Sequence, residues 1–252
     1  MTPERLLDAY KQIPESHWVN KDMRHDQRLA YTTLMNLKKA GRILDVGCYR
    51  GDFLKKFPAG FSKYGIEPSR AAARSAEACG IKVLGETVEQ VDFKELHFDI
   101  ITLIDVLEHV HSPFQTLKKL ATLLNPRGIL LSTTGNTNSL LWRLMRLDYW
   151  YYTPEHISFL NPPWFRWASR RLELSVIRME KFSYHGGSLW ESYRQFGQGL
   201  TFLLLKHLSR YTIFKNLLSR LYPFNRAVHW THPPPALSYK DHLLVALQAE
   251  RV

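Results

Sequence analysis

From residue 42 onward, short apolar runs alternate with helix-like stretches, and that alternation sets the fold class before any motif does. Ile43-Leu44-Asp45-Val46 predicts a buried strand ending in a glycine turn. Tyr64-Gly65-Ile66-Glu67, Ile81-Lys82-Val83-Leu84, Phe98 to Ile104 and Gly128 to Thr133 predict four more. Helical spacing fills the gaps at Gly51 to Lys56, Ser69 to Cys79 and Pro113 to Leu124, the last stopping at Asn125-Pro126-Arg127-Gly128. Strands alternating with helices at this spacing imply βαβ units, hence an α/β fold with a doubly wound, mostly parallel sheet.

The flanks are patterned differently. Residues 1–40 predict a helical cover, with Leu6, Leu7, Tyr10, Leu29, Leu34 and Leu37 at near-helical spacing and Pro14 and the polar Asn20 to Asp26 separating the pieces. Residues 137–165 are rich in Trp and Tyr without a period. Pro162 to Arg171 predicts a helix, Leu174 to Phe182 a strand, and Asp241 to Gln248 the last strand. Residues 187–235 predict a basic, amphipathic helical insertion. On a helix of 3.6 residues per turn, Leu200, Leu203, Leu204, Leu208, Tyr211, Phe214, Leu218 and Leu221 share one face, with Lys206, Arg210 and Arg220 opposite and Lys215 breaking the pattern. The expected division is therefore 1–40, then 41–186 together with 236–252, interrupted by 187–235.

Composition narrows the class. With 45% hydrophobic and 23% charged positions in 252 residues, wholesale disorder is excluded. The longest uninterrupted apolar stretch, Leu243 to Leu247, falls far short of the roughly 20 residues of a membrane-spanning helix, as does Phe202 to Leu205. Met1 to Tyr10 has no apolar core and does not read as a secretory signal. Two cysteines, Cys48 and Cys79, give no disulfide framework and suit a reducing cytoplasm. The formal charge of +11 is uneven: residues 1–130 carry 19 basic and 16 acidic side chains, residues 131–252 carry 15 and 7. Such a surface attracts phosphate, nucleic acid or anionic lipid alike.

The chemistry concentrates where the first two strands end. Asp45 precedes Gly47, and Gly51 follows four positions later before a helix-like stretch. Glycines permit the turn and the close approach of a ligand, and a helix start offers free N–H groups. A dinucleotide loop reads G-x-G-x-x-G, which this is not. Asp45 would repel a pyrophosphate but attract an ammonium or sulfonium. Glu67, at the end of the second strand, stands where a carboxylate holds ribose hydroxyls.

With these residues the chain resembles the class I S-adenosylmethionine-dependent methyltransferases, in particular the group of the ubiquinone-type O-methyltransferases. The resemblance covers about residues 40–182. It is carried in order by Ile43 to Gly51, Gly65-Ile66-Glu67-Pro68-Ser69, Phe98-Asp99-Ile100-Ile101, Asp105-Val106-Leu107-Glu108-His109-Val110, Leu124-Asn125-Pro126-Arg127-Gly128 and Pro154-Glu155-His156-Ile157. It implies a Rossmann-like seven-stranded sheet with helices on both faces, and S-adenosyl-L-methionine as cofactor. It further implies that Asp45, Gly47 and Gly51 form the loop under the methionine part and that Glu67 takes the ribose hydroxyls. Glu86 and Thr87 would contact adenine, the alternative being a solvated loop. Asp105 and Leu107 would line the methyl-donor side. His156, in the loop the family lays over the cofactor, would be the general base for an acceptor hydroxyl; the alternative is a histidine bonded to its own loop. Trp150, Tyr151, Tyr152 and His109 would wall the acceptor pocket, although aromatic runs also simply pack and Glu108 and His109 could simply cap a helix. No metal ion is expected.

One position departs from the family pattern: Tyr49 stands where a glycine is usual, adding bulk beside the methionine carboxylate. A tetrapeptide of base-flipping amino-methyltransferases, Asn161-Pro162-Pro163-Trp164, lies beyond the fifth strand rather than the fourth, and is read as a helix start. The expected activity is methyl transfer to oxygen on a small-molecule, glycan or lipid-linked acceptor. Alternatives are an RNA or protein methyltransferase, a nicotinamide oxidoreductase, and a non-catalytic interaction protein without cofactor. Nucleic acid is not expected as a partner, for want of an RNA-binding motif. The basic helix over 200–221 is read either as a cap on the fold or as a peripheral contact with the inner face of a membrane.

Overall fold

The computed structural model describes residues 23–184, 189–208 and 239–250. Along the chain, α1 (His25–Leu37) leads into β1 (Gly41–Val46), then β2 (Phe61–Ile66), α2 (Arg70–Glu77), β3 (Lys82–Gly85) and β4 (Phe98–Ile104). There follow α3 (Pro113–Ala121), β5 (Leu124–Gly135), α4 (Leu140–Met145), α5 (Pro162–Arg171), β6 (Leu174–Phe182), α6 (Leu189–Leu208) and β7 (His242–Ala249). The strands make one seven-stranded sheet in the order β3-β2-β1-β4-β5-β7-β6. β1 with β2, β1 with β4, β2 with β3 and β4 with β5 all pair parallel. The expected Rossmann-like α/β sheet is therefore present.

β1 and β4 are nearly continuous apolar runs because both their faces are covered, which parallel strands joined by crossover helices require. Leu44, Ile101, Leu103, Leu130, Leu243 and Val245 of the sheet are enclosed with Leu117 and Leu120 of α3 and Phe165 of α5. The helix starts follow local chemistry. Ser69 Oγ accepts from the Ala72 N–H, and Asn161 Oδ1 accepts from the Trp164 N–H at 3.0 Å. Asn161-Pro162-Pro163-Trp164 is thus the first turn of α5, with prolines where no N–H is needed.

Two elements differ from the sequence expectation. The helix expected to run to Leu124 ends at Ala121, and β5 already begins at Leu124. Leu123 and Leu124 prolong the helical pattern of apolar residues although they belong to the turn and the strand. Between Gly51 and Lys56 only a short 3-10 turn forms, Leu54–Lys56.

The chain divides into two compact units. The described residues through Gly135, with Pro154–Glu180 and the stretch from Leu243, make the first. Asn136–Thr153 and the described residues of Lys181–His242 make the second. In the second unit Leu141, Trp142 and Met145 of α4 pack with Tyr149, Tyr151 and Phe202 of α6.

On α6 the apolar face read off the helical wheel is covered only in part. Phe202 and Leu205 are buried and Leu203 is half-buried, whereas Leu200 and Leu204 are exposed. Leu200 to Leu205 is apolar almost all round, so spacing could not choose a face. Leu6, Leu7 and Tyr10 lie outside the described residues, as do Arg210, Tyr211, Phe214, Lys215, Leu218, Arg220, Leu221 and Arg226 of the expected insertion.

Candidate active site

The site in the first unit starts where the sheet order reverses. β1 is flanked by β2 on one side and β4 on the other, and the register sets Asp45 beside Gly65 and Thr102, and Val46 beside Ile66 and Leu103. The carboxyl ends of three strands therefore stop side by side, and such a switch point leaves a crevice for a ligand. Gly47 turns the chain there at φ +75°, and a Cβ on it would meet Val106 Cγ2 at 2.9 Å. Gly51 sits at φ +76°, where a Cβ would lie 2.0 Å from Ile81 Cδ1.

Two buried carboxylates face this turn. Asp45 is 4% exposed, and its Oδ1 accepts from the Thr102 hydroxyl at 2.6 Å. Burial pushes its carboxyl up to about 7. The Thr102 bond pulls the other way, the nearby Glu67 charge adds to the rise, and Arg24 opposes it. Glu67 is 8% exposed and accepts two backbone N–H bonds, from Tyr49 to Oε2 and from Ser69 to Oε1, both at 2.8 Å. Burial raises its carboxyl, and the two N–H donors offset part of that rise. A carboxylate has about four acceptor positions, so these bonds orient Glu67 without exhausting it. Tyr49 itself takes φ +49°, the left-handed region that a glycine would enter freely.

Asp105, just past β4, also has positive φ, and its N–H donates to the Thr133 carbonyl. Its Oδ2 lies 3.0 Å from Arg24 Nη2, and the same guanidinium grips Asp26 through Nη2 at 2.7 Å and Nε at 3.2 Å. Arg24 was missed by the sequence reading, which treated the polar stretch around it as a separator. Leu107 is fully buried in the core, so a ligand could meet only its backbone. Glu86 is half-buried beside Arg70 at 3.4 Å, and Thr87 is half-buried after β3.

A second group gathers along the turn after β4. The Ile157 and Ser158 N–H groups both donate to the Glu108 carbonyl at 2.9 Å, and the Ser158 hydroxyl donates to the Val110 carbonyl at 2.7 Å. His109 Nδ1 lies 3.1 Å from the Glu155 carbonyl, which can only accept, so the ring carries its proton on Nδ1. These bonds bring His156 beside His109, with ring centroids 4.7 Å apart. Glu108 is 1% exposed, and its Oε2 accepts from the Thr134 hydroxyl at 2.9 Å. Ligand atoms of Glu108, His109 and His156 lie within 4.8 Å of one another.

The aromatic run belongs to the second unit. Tyr151 is buried there, its ring packed on Trp142 and edge-on to His242. Trp150 and Tyr152 pack partly buried around the same cluster, and the neighbouring Tyr149 hydroxyl donates to Asp241 at 2.6 Å.

A family model described as a methyltransferase domain matches residues 17–178. Among curated proteins, the ubiquinone biosynthesis O-methyltransferase of Rhodopseudomonas palustris is 35% identical over 104 residues, 38% of this chain and 41% of that protein. The enzyme of the same name from Alkalilimnicola ehrlichii is 31% identical over 160 residues, 57% of this chain and 64% of that protein. The chain thus spans less than two thirds of the length of either relative. The N-methyltransferase NodS of Bradyrhizobium japonicum, solved with S-adenosyl-L-homocysteine, shares the fold with a TM-score of 0.53 at 14% identity, covering 97% of both chains.

Proposed function

The chain belongs to the class I S-adenosylmethionine-dependent methyltransferase family, and on that premise we propose that it methylates a hydroxyl oxygen. The observation that carries the cofactor side of this reading is the pair of buried carboxylates, Asp45 and Glu67, at adjacent strand ends over a glycine turn. They suit a ligand with a cationic part and a ribose, and Gly47 leaves space that a side chain would fill.

When bound, the cofactor supplies a methyl group already activated on a sulfonium. The protein therefore has to bind, align and keep the acceptor in reach. Asp45, once ionised, attracts the cationic methionine portion over Gly47 and Gly51. Glu67 takes the ribose hydroxyls by charge-assisted hydrogen bonds, held in place by the Tyr49 and Ser69 N–H groups. Glu86 and Thr87 meet the adenine, and Asp105 with the backbone at Leu107 borders the methyl-donor side. Arg24, on Asp105, offers a positive charge that a carboxylate of the ligand could use.

His156 handles the acceptor hydroxyl, with His109 alongside it. Oxygen as the accepting atom is supported by the O-methyltransferase names of the relatives. His156→Ala should lower turnover by about 10²–10⁴-fold while cofactor affinity holds. Full turnover in the variant would remove His156 from the chemistry.

A lipid-linked acceptor is favoured by one feature of α6. Trp190, Tyr193, Leu200 and Leu204 are all exposed, and their spacing sets them along one side of the helix. No helix among the described residues is long and apolar enough to cross a membrane. An apolar side of this kind would instead lie in an interface, with Arg194 as a cationic neighbour and Lys206 on the opposite side of the helix.

A further inference from the structure

We propose that Thr102 is a positioning residue for the cofactor: from β4 it holds the Asp45 carboxylate and favours its charged form, and so sets the pH range in which the cationic ligand is taken up. Its role in binding rests on the reading of Asp45 as the group that meets that cation; its hold on Asp45 does not. From Ile100 to Ile104, β4 is apolar except at Thr102. The register of the parallel pair β1 and β4 sets Thr102 beside Asp45. Both are enclosed, Thr102 at 0% and Asp45 at 4% exposure.

A hydroxyl enclosed in such a run costs free energy unless it is bonded. Thr102 has one proton to give and two acceptors in reach, Asp45 Oδ1 at 2.6 Å and the Leu44 carbonyl at 3.3 Å. The shorter contact lies in the range of O–H bonds to a charged oxygen, about 2.5–2.7 Å. The proton therefore goes to Asp45. A bond given to the carboxylate favours its ionised form. Holding Oδ1 also fixes the plane of the group, and the carboxylate keeps further acceptor positions for a ligand.

Among the described residues, the charged groups that act on Asp45 come from two other places in the fold. Glu67, just past β2, opposes its ionisation, and Arg24, ahead of α1, supports it. Burial is the strongest influence and raises the carboxyl, and the Thr102 bond is the largest one against it. The neighbouring Cys48 thiol is pushed up by burial first and then by both carboxylates, so it stays neutral. Removing the Thr102 hydroxyl leaves Glu67, Arg24 and Cys48 in place, so a change in Asp45 isolates this one bond.

The test is calorimetry of the full chain with S-adenosylhomocysteine from pH 6 to 9, comparing Thr102→Val with the unmodified chain. The ratio of the two affinities removes the ligand's own titration. At pH 7 the variant should bind about 5–50-fold more weakly, and the gap should narrow to about twofold or less by pH 9. That pattern corresponds to an Asp45 midpoint raised by about 1–2 pH units, as the loss of one bond to a charged group implies. Thr102→Ser, which keeps the hydroxyl, should follow the unmodified chain. Thermal melts check folding, and Thr102→Ala removes the same hydroxyl should the valine variant not fold. Carbon-13 NMR of the Asp45 carboxyl in the ligand-free chain, assigned by its loss in Asp45→Asn, should show the same upward move of the midpoint. An unmoved midpoint, or a gap equal at every pH, would overturn the proposal and leave Thr102 a packing residue. A midpoint that moves while both chains bind independently of pH would instead overturn the reading of Asp45 as the group that meets the cation.

Discussion

The backbone N–H of Tyr49 donates to Glu67 Oε2 at 2.8 Å, tying the turn after β1 to the end of β2. Tyr49 occupies a left-handed conformation at φ +49°, which costs a side-chain-bearing residue about 1–2 kcal/mol. A charge-assisted bond to a buried carboxylate is worth about 1.5–3 kcal/mol and can offset that cost. The tyrosine at this glycine position is thus accommodated by the same side chain that we assign to the ribose.

That double role gives Glu67→Ala two readouts. Binding of S-adenosylhomocysteine, followed by calorimetry, should weaken by about 1.5–3 kcal/mol. The melting temperature should fall too, since two N–H groups lose their acceptor. Unchanged affinity in a folded variant would take Glu67 out of the site.

Asp45 makes cofactor affinity depend on pH near neutrality. Its carboxyl ionises at about 7 in the folded chain against 3.8 ordinarily, because burial disfavours the charge. The unfolded chain releases this proton first, so the group's contribution to stability declines as pH rises from about 4 to 7 and is level above. A cationic ligand favours the ionised form, so affinity for S-adenosylhomocysteine should climb between pH 6 and 8. Asp45→Asn should flatten that climb and bind weakly throughout. An unmodified chain with flat affinity over this range would show that Asp45 does not meet the cation.

The exposed side of α6 predicts association with lipid. Co-sedimentation should occur with anionic vesicles at low salt and weaken at high salt, because surface charges are screened within about 10 Å at 0.1 M. Replacing Trp190 and Leu204 together by serine should abolish it, since each buried apolar side chain is worth about 1.5–3 kcal/mol. Lys206 already pairs with Asp148, so its neutralisation should matter less than that of Arg194. Absence of sedimentation with anionic vesicles at low salt would leave the acceptor a soluble one.

Much of the sheet was legible because its signals are local. Phe98–Ile104, Pro162–Arg171 and Leu174–Phe182 fall where apolar runs and helix-start residues set them. Asp45, Gly47 and Glu67 could be singled out because strand ends and glycine turns mark themselves in sequence. Arg24 could not, since its partner Asp105 lies 81 positions away and nothing near it differs from a solvated helix start. His109 and His156 were each visible as candidates, yet their convergence with Glu108 depends on backbone bonds from 157 and 158 to 108. No spacing rule carries that information. Tyr151 read as a pocket wall, but an aromatic run gives no hint of which ring its neighbours enclose, and this one packs inside the second unit.

The central claim is that the crevice over Asp45, Gly47 and Glu67 holds S-adenosylmethionine. Isothermal calorimetry of the full chain with S-adenosylhomocysteine, and in parallel with NAD, tests it most directly. The account predicts saturable binding of one S-adenosylhomocysteine per chain, weakened by Glu67→Ala, and no saturable binding of NAD. A folded chain that takes up NAD, or neither ligand, would contradict it.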